Sequence, residues 1–202
     1  MLFTKTETRI LELLVSKPLQ RFTIREISRL IGKDLKIVHT YTQQLLQKKC
    51  LLKDEQQHLH LNYQANISDL AYIENIRKEK LFHQYPTLKI AATDFLKKTK
   101  HSFFVLLIFG SYAEGNIHKN SDLDVLVILP DEDENHIFER ELNSVFSISF
   151  QKFHPHVISK VSFREMIAKR DETNIINESL NKHIILFGAE LYYKLLGERH
   201  VR

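Results

Sequence analysis

The segment Phe103 to Leu129, FFVLLIFGSYAEGNIHKNSDLDVLVIL, constrains the fold more than any other part of the chain. Two runs rich in Val, Ile, Leu and Phe, each of strand length, flank a Gly-Ser turn, a polar connection and an Asp-Leu-Asp triplet. Side chains alternate between the faces of a strand, so Asp122 and Asp124 project to one side and Leu123 and Val125 to the other. Two carboxylates held this close repel each other unless a cation or a proton intervenes. Hard oxygen ligands of this kind suit Mg²⁺ bound jointly with substrate phosphates. Gly110, directly after the first apolar run, lets backbone amides approach a ligand closely. The segment Tyr112 to Gly115 reads as the start of a helix, whose N-terminus favours phosphate.

On these residues the chain resembles the DNA polymerase beta-like nucleotidyltransferases, whose signature is a Gly-Ser turn followed by Asp-x-Asp on the next strand. Gly110-Ser111 and Asp122-x-Asp124 carry the match, with Tyr112, Ala113, Gly115 and Ser121 in keeping. The resemblance extends over roughly residues 85 to 202 and is to the small stand-alone members, including the minimal nucleotidyltransferase antitoxins of prokaryotes. It implies that Gly110 and Ser111 hold the terminal phosphates of an NTP, ATP first among them. It also implies that Asp122 and Asp124 hold the Mg²⁺ that activates transfer. The acceptor would be a protein hydroxyl, as on a toxin, or a small molecule or nucleic-acid end.

The family pattern includes a third carboxylate on a later strand, and here the chain departs from it. After an acidic loop, Asp131 to Glu134, Ile137, Phe138, Leu142, Val145 and Phe146 recur at helical spacing. The next extended segment, Lys152 to Ser159, carries no acid; the aligned position falls near His154, and no Asp or Glu occurs between Glu141 and Glu165. His154 and His156 share a strand face, and a neutral imidazole can serve as general base near pH 7. The alternative is a pair of ordinary polar residues beside Pro155 on an edge strand. Glu165 lies in a segment, from Ser162, that reads as the start of a helix.

The first 66 residues follow a different pattern. Thr4 to Val15 has helical spacing and closes at Pro18; Thr23 to Glu26 carries a capping pattern ahead of Ile27, Leu30 and Ile31, which are expected on the buried face. Asp34 caps a third helix expected to bury Val38, Tyr41 and Leu45 and to end near Lys49. Leu51 to Lys53 and His58 to Leu61 read as a short hairpin. This order resembles a winged helix-turn-helix, whose third helix enters the major groove. Lys36, His39, Thr40, Gln43 and Gln47 would face outward on it, with Arg29, Lys33, Lys48 and Lys49 available to phosphates. A winged helix that grips protein instead of DNA has the same pattern.

Charge bears on that choice. The chain carries a formal +4, with about +5 before Ile67 and about −1 after it, so the basic excess lies in the N-terminal part. Ile67 to Tyr85 reads as a bridging helix, and Asn174 to Lys182, Ile184 to Gly188 and Ala189 to Leu196 as helix, strand and helix. The expected fold is α+β: a winged helix-turn-helix DNA-binding domain over 1–66, a helical linker over 67–84, and a nucleotidyltransferase-fold domain over 85–202. That last domain would have a small mixed sheet flanked by helices. Each of the two units would have its own core. The lone Cys50 reads as a buried thiol, and no apolar run is long enough to span a bilayer, which predicts a cytoplasmic protein without a membrane partner. Two functions remain open. One is a DNA-binding, Mg²⁺-dependent nucleotidyltransferase. The other is a transcription regulator whose degenerate transferase domain senses a nucleotide or forms a homodimer.

Overall fold

Thr4 and Thr23 each begin a helix with a reciprocal capping pair. Each threonine hydroxyl accepts from the backbone amide three residues on, of Glu7 at 3.3 Å and of Glu26 at 3.2 Å. The glutamate carboxylates accept in return from the Thr4 and Thr23 amides, at 2.8 and 2.7 Å. The helices so started are α1 (Lys5–Ser16) and α2 (Ile24–Ile31). Asp34 accepts from the Lys36 amide at 2.8 Å and starts α3 (Leu35–Gln47). Strands β1 (Leu51–Lys53) and β2 (Leu59–Leu61) form an antiparallel hairpin, and a bridge from Leu59 to Phe22 ties it to the segment before α2. These and the following elements come from a computed structural model that describes residues 2–118, 121–131, 135–169, 174–180 and 182–198.

The interior side of α3 is Val38, Thr42 and Leu45, whereas Tyr41, expected inside, is half-buried. Thr42 tolerates the interior because its hydroxyl donates to the His39 carbonyl at 2.9 Å, so no polar group is stranded.

Two helices lead to the sheet: α4 (Ile67–Gln84) and α5 (Pro86–Lys98), the latter begun by Pro86, whose missing amide costs nothing in the first turn. Then follow β3 (Val105–Phe109), α6 (Gly110–Glu114), β4 (Leu123–Leu129), α7 (Asn135–Ser149), β5 (Phe153–Ser159) and α8 (Lys160–Ala168). The last elements are α9 (Ile175–Ser179), β6 (His183–Phe187) and α10 (Ala189–Gly197). Of the expected acidic loop, residues 132–134 lie outside the described residues, as does Asn181 of the expected helix Asn174 to Lys182. That helix is the shorter α9, capped by Asn174. α8 starts at Lys160, earlier than expected, because the Ser159 hydroxyl caps it.

The sheet has the order β5-β4-β3-β6, with β3 antiparallel to β4 and β6 and with β4 parallel to β5. The parallel pair is connected through α7, as a parallel neighbour requires. One face, Leu106, Ile108, Val125 and Val127, packs with α5 and α7 through Leu88, Phe95, Phe138 and Phe146. The other face, Val105, Leu107, Leu126 and Ile128, belongs to a buried cluster that also holds Phe163, Ile176, Tyr192 and Tyr193. Central strands covered on both faces explain why the two apolar runs show no polar alternation beyond Asp124.

That second cluster continues through Leu70 and Ile73 of α4 to Ile10, Leu14, Val38 and Phe3. The core of the N-terminal elements is therefore continuous with the cluster on one face of the sheet, while the cluster on the other face stays separate. The reason is α4, which packs against α1, α10 and β6 at once and contributes apolar side chains to each contact. An ion pair of Lys80 with Glu12 reinforces the α4–α1 contact, and Lys48 Nζ, just after α3, pairs with the buried Glu7 of α1 at 2.6 Å.

Candidate active site

Four strand ends meet along one rim of the sheet: the C-terminus of β3 and the N-termini of β4, β5 and β6. Register aligns the rim closely. Asp124 lies opposite Phe109 on one side and His154 on the other, and Phe109 lies opposite His183. Gly110 follows Phe109, so the Gly-Ser turn sits over the neighbouring strand's Asp124.

Gly110 has φ +66, and a Cβ built on it would lie 2.8 Å from Asp124 Oδ2. Both the left-handed backbone and the close approach of a carboxylate demand glycine here. We therefore expect Gly110→Ala to displace Asp124 and to weaken nucleotide binding about tenfold or more, read by calorimetric titration. An unchanged affinity would show that the turn and Asp124 do not share a ligand. The Ser111 hydroxyl faces the same strand, with a long contact of 3.5 Å to the Asp122 carbonyl. Tyr112 anchors α6 on the opposite face of the sheet, edge-on to Tyr85 at 5.7 Å and to Phe150 at 6.0 Å.

Asp122, Asp124 and His154 come together as the sequence suggests. His154 Nδ1 is 3.5 Å from Asp124 Oδ1 and 3.8 Å from Asp122 Oδ2. His156 points to the same face, its ring centroid 5.9 Å from that of Phe109. Burial pushes the Asp124 carboxyl above the ordinary carboxylate range; the His154 and His156 imidazoles pull it back, and the Asp122 charge adds a smaller upward push. Asp122 Oδ1 is shielded from solvent and has no hydrogen-bond partner among the described residues. Such an atom is poised for a cation or a donor, and Lys152 Nζ lies 3.6 Å from it. Lys152 does not stand out among the residues of its segment. Its place follows from the parallel β4–β5 register, in which the Leu123 amide donates to the Lys152 carbonyl at 2.8 Å. At the other end of the rim Lys182 pairs with Glu114 of α6 at 3.7 Å.

The donor set suits a hard divalent cation shared with phosphate oxygens: two carboxylates, one of them with an unsatisfied oxygen. It does not make a cage of protein ligands. Among the described residues no group of three or more His, Cys, Asp or Glu side chains is arranged to hold a metal ion.

A second surface lies on α2 and α3. Lys33, Lys36, His39, Thr40 and Gln47 are exposed, and Gln43 is half-buried. The Thr40 hydroxyl is turned back to the Lys36 carbonyl at 3.0 Å. Lys48, expected among the phosphate-facing cations, is instead engaged by Glu7 and lies over the Phe3 ring. The outward side is also less polar than its spacing suggested, since Leu35 and Ile37 are exposed there, and so is Leu30, expected on the buried face, because the short α2 buries only Ile27.

A mixed sheet with a glycine turn over a carboxylate pair defines a nucleotidyltransferase-type fold. The nucleotidyltransferase domain family matches residues 88–188, half of the chain, from α5 through β6, and the chain belongs to that family. No curated protein and no solved structure matches the chain. No helix among the described residues is long and apolar enough to cross a membrane.

Proposed function

We propose that the chain transfers a nucleotidyl group from an NTP, ATP first among them, to an acceptor hydroxyl. The observation that carries this reading is the convergence of Gly110, Ser111, Asp122, Asp124 and His154 on one rim of a nucleotidyltransferase domain. Gly110 and Ser111 would receive the β and γ phosphates, and Asp122 and Asp124 would hold Mg²⁺. The bound cation supplies neutralisation of charge on the phosphates. With Nδ1–H of His154 directed at the two carboxylates, its Nε2 is left to accept the acceptor's hydroxyl proton. The acceptor oxygen bonds to the α phosphorus, the bond from that phosphorus to the bridging oxygen breaks, and pyrophosphate leaves with the electron pair. The test is transfer of α-labelled phosphate from each of the four NTPs, with pyrophosphate released in equal amount. Label released without pyrophosphate would sink the reaction type.

A second reading is favoured by His154 standing where the family pattern has an acid and by Lys152 beside Asp122. On that reading the domain binds a nucleotide as a signal and does not consume it. Binding in calorimetry without any pyrophosphate release would select it.

For the N-terminal residues we propose a winged helix-turn-helix over 1–66 that docks α3 into DNA, with 67–84 as connector and 85–202 as the transferase domain. What supports this is the helix-helix-helix-hairpin order, the basic excess before Ile67, and the exposure of Lys33, Lys36, His39 and Thr40. Lys33→Glu with Lys36→Glu is expected to weaken binding to duplex DNA about tenfold and to reduce the salt slope by about two. A wild-type protein with no affinity for duplex at low salt would leave a protein partner as the occupant of this face.

A further inference from the structure

We propose that this site takes one divalent cation per nucleotide, not two, because the Lys152 ammonium and the His154 imidazole fill the side of the carboxylate pair where a second cation would sit. The inference rests on the reading of Asp122 and Asp124 as the metal-holding pair.

Two-cation phosphoryl-transfer sites need enough anionic oxygen to bridge both ions. Here the strand next to the pair contributes none. β5 delivers Lys152 and His154, and the backbone bond from Leu123 to Lys152 fixes that delivery by register. The two groups approach from the β5 side: Lys152 Nζ reaches Asp122 Oδ1 at 3.6 Å, and His154 Nδ1 reaches Asp122 Oδ2 at 3.8 Å and Asp124 Oδ1 at 3.5 Å. The remaining oxygen, Asp124 Oδ2, faces the other way, toward Gly110. The carboxylate pair therefore presents one side to nitrogen groups of its own chain and the other to the turn.

Charge leads to the same count. Among the described residues, two carboxylates less one ammonium leave a single negative charge, which suits one divalent cation shared with a triphosphate and is too little for two. Glu114, the acid on α6, is already paired with Lys182 at the far end of the rim. Lys152 then has a positive role as well: a point charge on the β5 side, where a phosphate or the developing pyrophosphate can meet it.

The test counts Mn²⁺ by electron paramagnetic resonance of the free ion, in the presence of the α,β-methylene analogues of ATP, GTP, CTP and UTP. One Mn²⁺ per protein with the preferred analogue is expected. Two would overturn the inference and leave the metal–nucleotide reading standing, whereas none with any analogue would overturn both. His154→Asp puts a carboxylate in register with Asp124 and is expected to raise the count to two. A folded H154D variant that stays at one would overturn the role given to His154. Lys152→Ala, at an exposed position, is expected to weaken analogue binding about tenfold; unchanged affinity would remove Lys152 from the site.

Discussion

Asp124→Asn is expected to abolish metal-dependent nucleotide binding and to lower nucleotidyl transfer about a thousandfold, with the fold intact. The substitution conserves shape and removes only charge. Asp124 is flanked by Phe109 and His154 in a covered part of the sheet, and burial holds its carboxyl above the usual range. The folded protein therefore carries this charge at a cost that a neutral amide does not bear. The thermal midpoint should be equal to or above that of the wild type, a gain in stability alongside a loss of function. Asp122→Asn is the companion variant. Its oxygen without a hydrogen-bond partner is the other half of the pair, and the same loss is expected. Calorimetric titration with NTP, with and without Mg²⁺, reads the first effect, and denaturation reads the second. Binding within about threefold of wild type in both variants would remove the carboxylates from the nucleotide site.

The rim was legible because its residue types are unusual for their positions. An acid inside an apolar run, and a Gly-Ser directly after one, are hard to explain by packing alone, so Gly110, Ser111, Asp122 and Asp124 stand out from the string. His154 emerged only as the place of a missing acid, and Lys152 did not emerge at all. Both depend on the β4–β5 register, and the spacing of one strand does not report which residue of another lies beside it. The N-terminal helices were legible through their caps, since Thr23-x-x-Glu26 and Asp34 act locally. α5 was not anticipated, although Pro86 and the spacing of Leu88, Ala91, Ala92 and Phe95 carry its signal. The continuity of the core between the N-terminal elements and the sheet was hidden for a different reason. α4 is buried on several sides by non-contiguous elements, so its apolar positions do not form a clean stripe, and charged residues within it read as solvent-facing.

Glu74 is the sharpest case of that last effect, and Glu74→Ala is expected to lower the unfolding free energy by about 3–5 kcal/mol. Within α4 it looks like one more surface acid beside Lys78 and Glu79, yet its side chain is 1% exposed. Its carboxylate accepts from Arg77 at 2.9 and 2.8 Å, from the Tyr193 hydroxyl at 2.7 Å, and from the Ile185 amide. Arg77 in turn donates to the His183 carbonyl. β6 is an edge strand, so α4 is supplying from two side chains the hydrogen bonds that a fifth strand would otherwise make. His183 completes the cluster: burial pushes its imidazole down to about 3, so it is neutral, and a ring nitrogen contacts the Ser179 carbonyl at 3.0 Å. Removing Glu74 takes the carboxylate partner from a guanidinium only 10% exposed, from a buried hydroxyl and from an amide at once. Glu74→Gln keeps an acceptor for Tyr193 and Ile185 and should cost less. Urea denaturation followed by circular dichroism measures both, and a loss below about 1 kcal/mol for Glu74→Ala would show that the β6 edge does not depend on this clasp. The consequence reaches the rim, because His183 is the strand partner of Phe109, the residue before Gly110. A loosened β6 should therefore weaken nucleotide binding well below the unfolding midpoint.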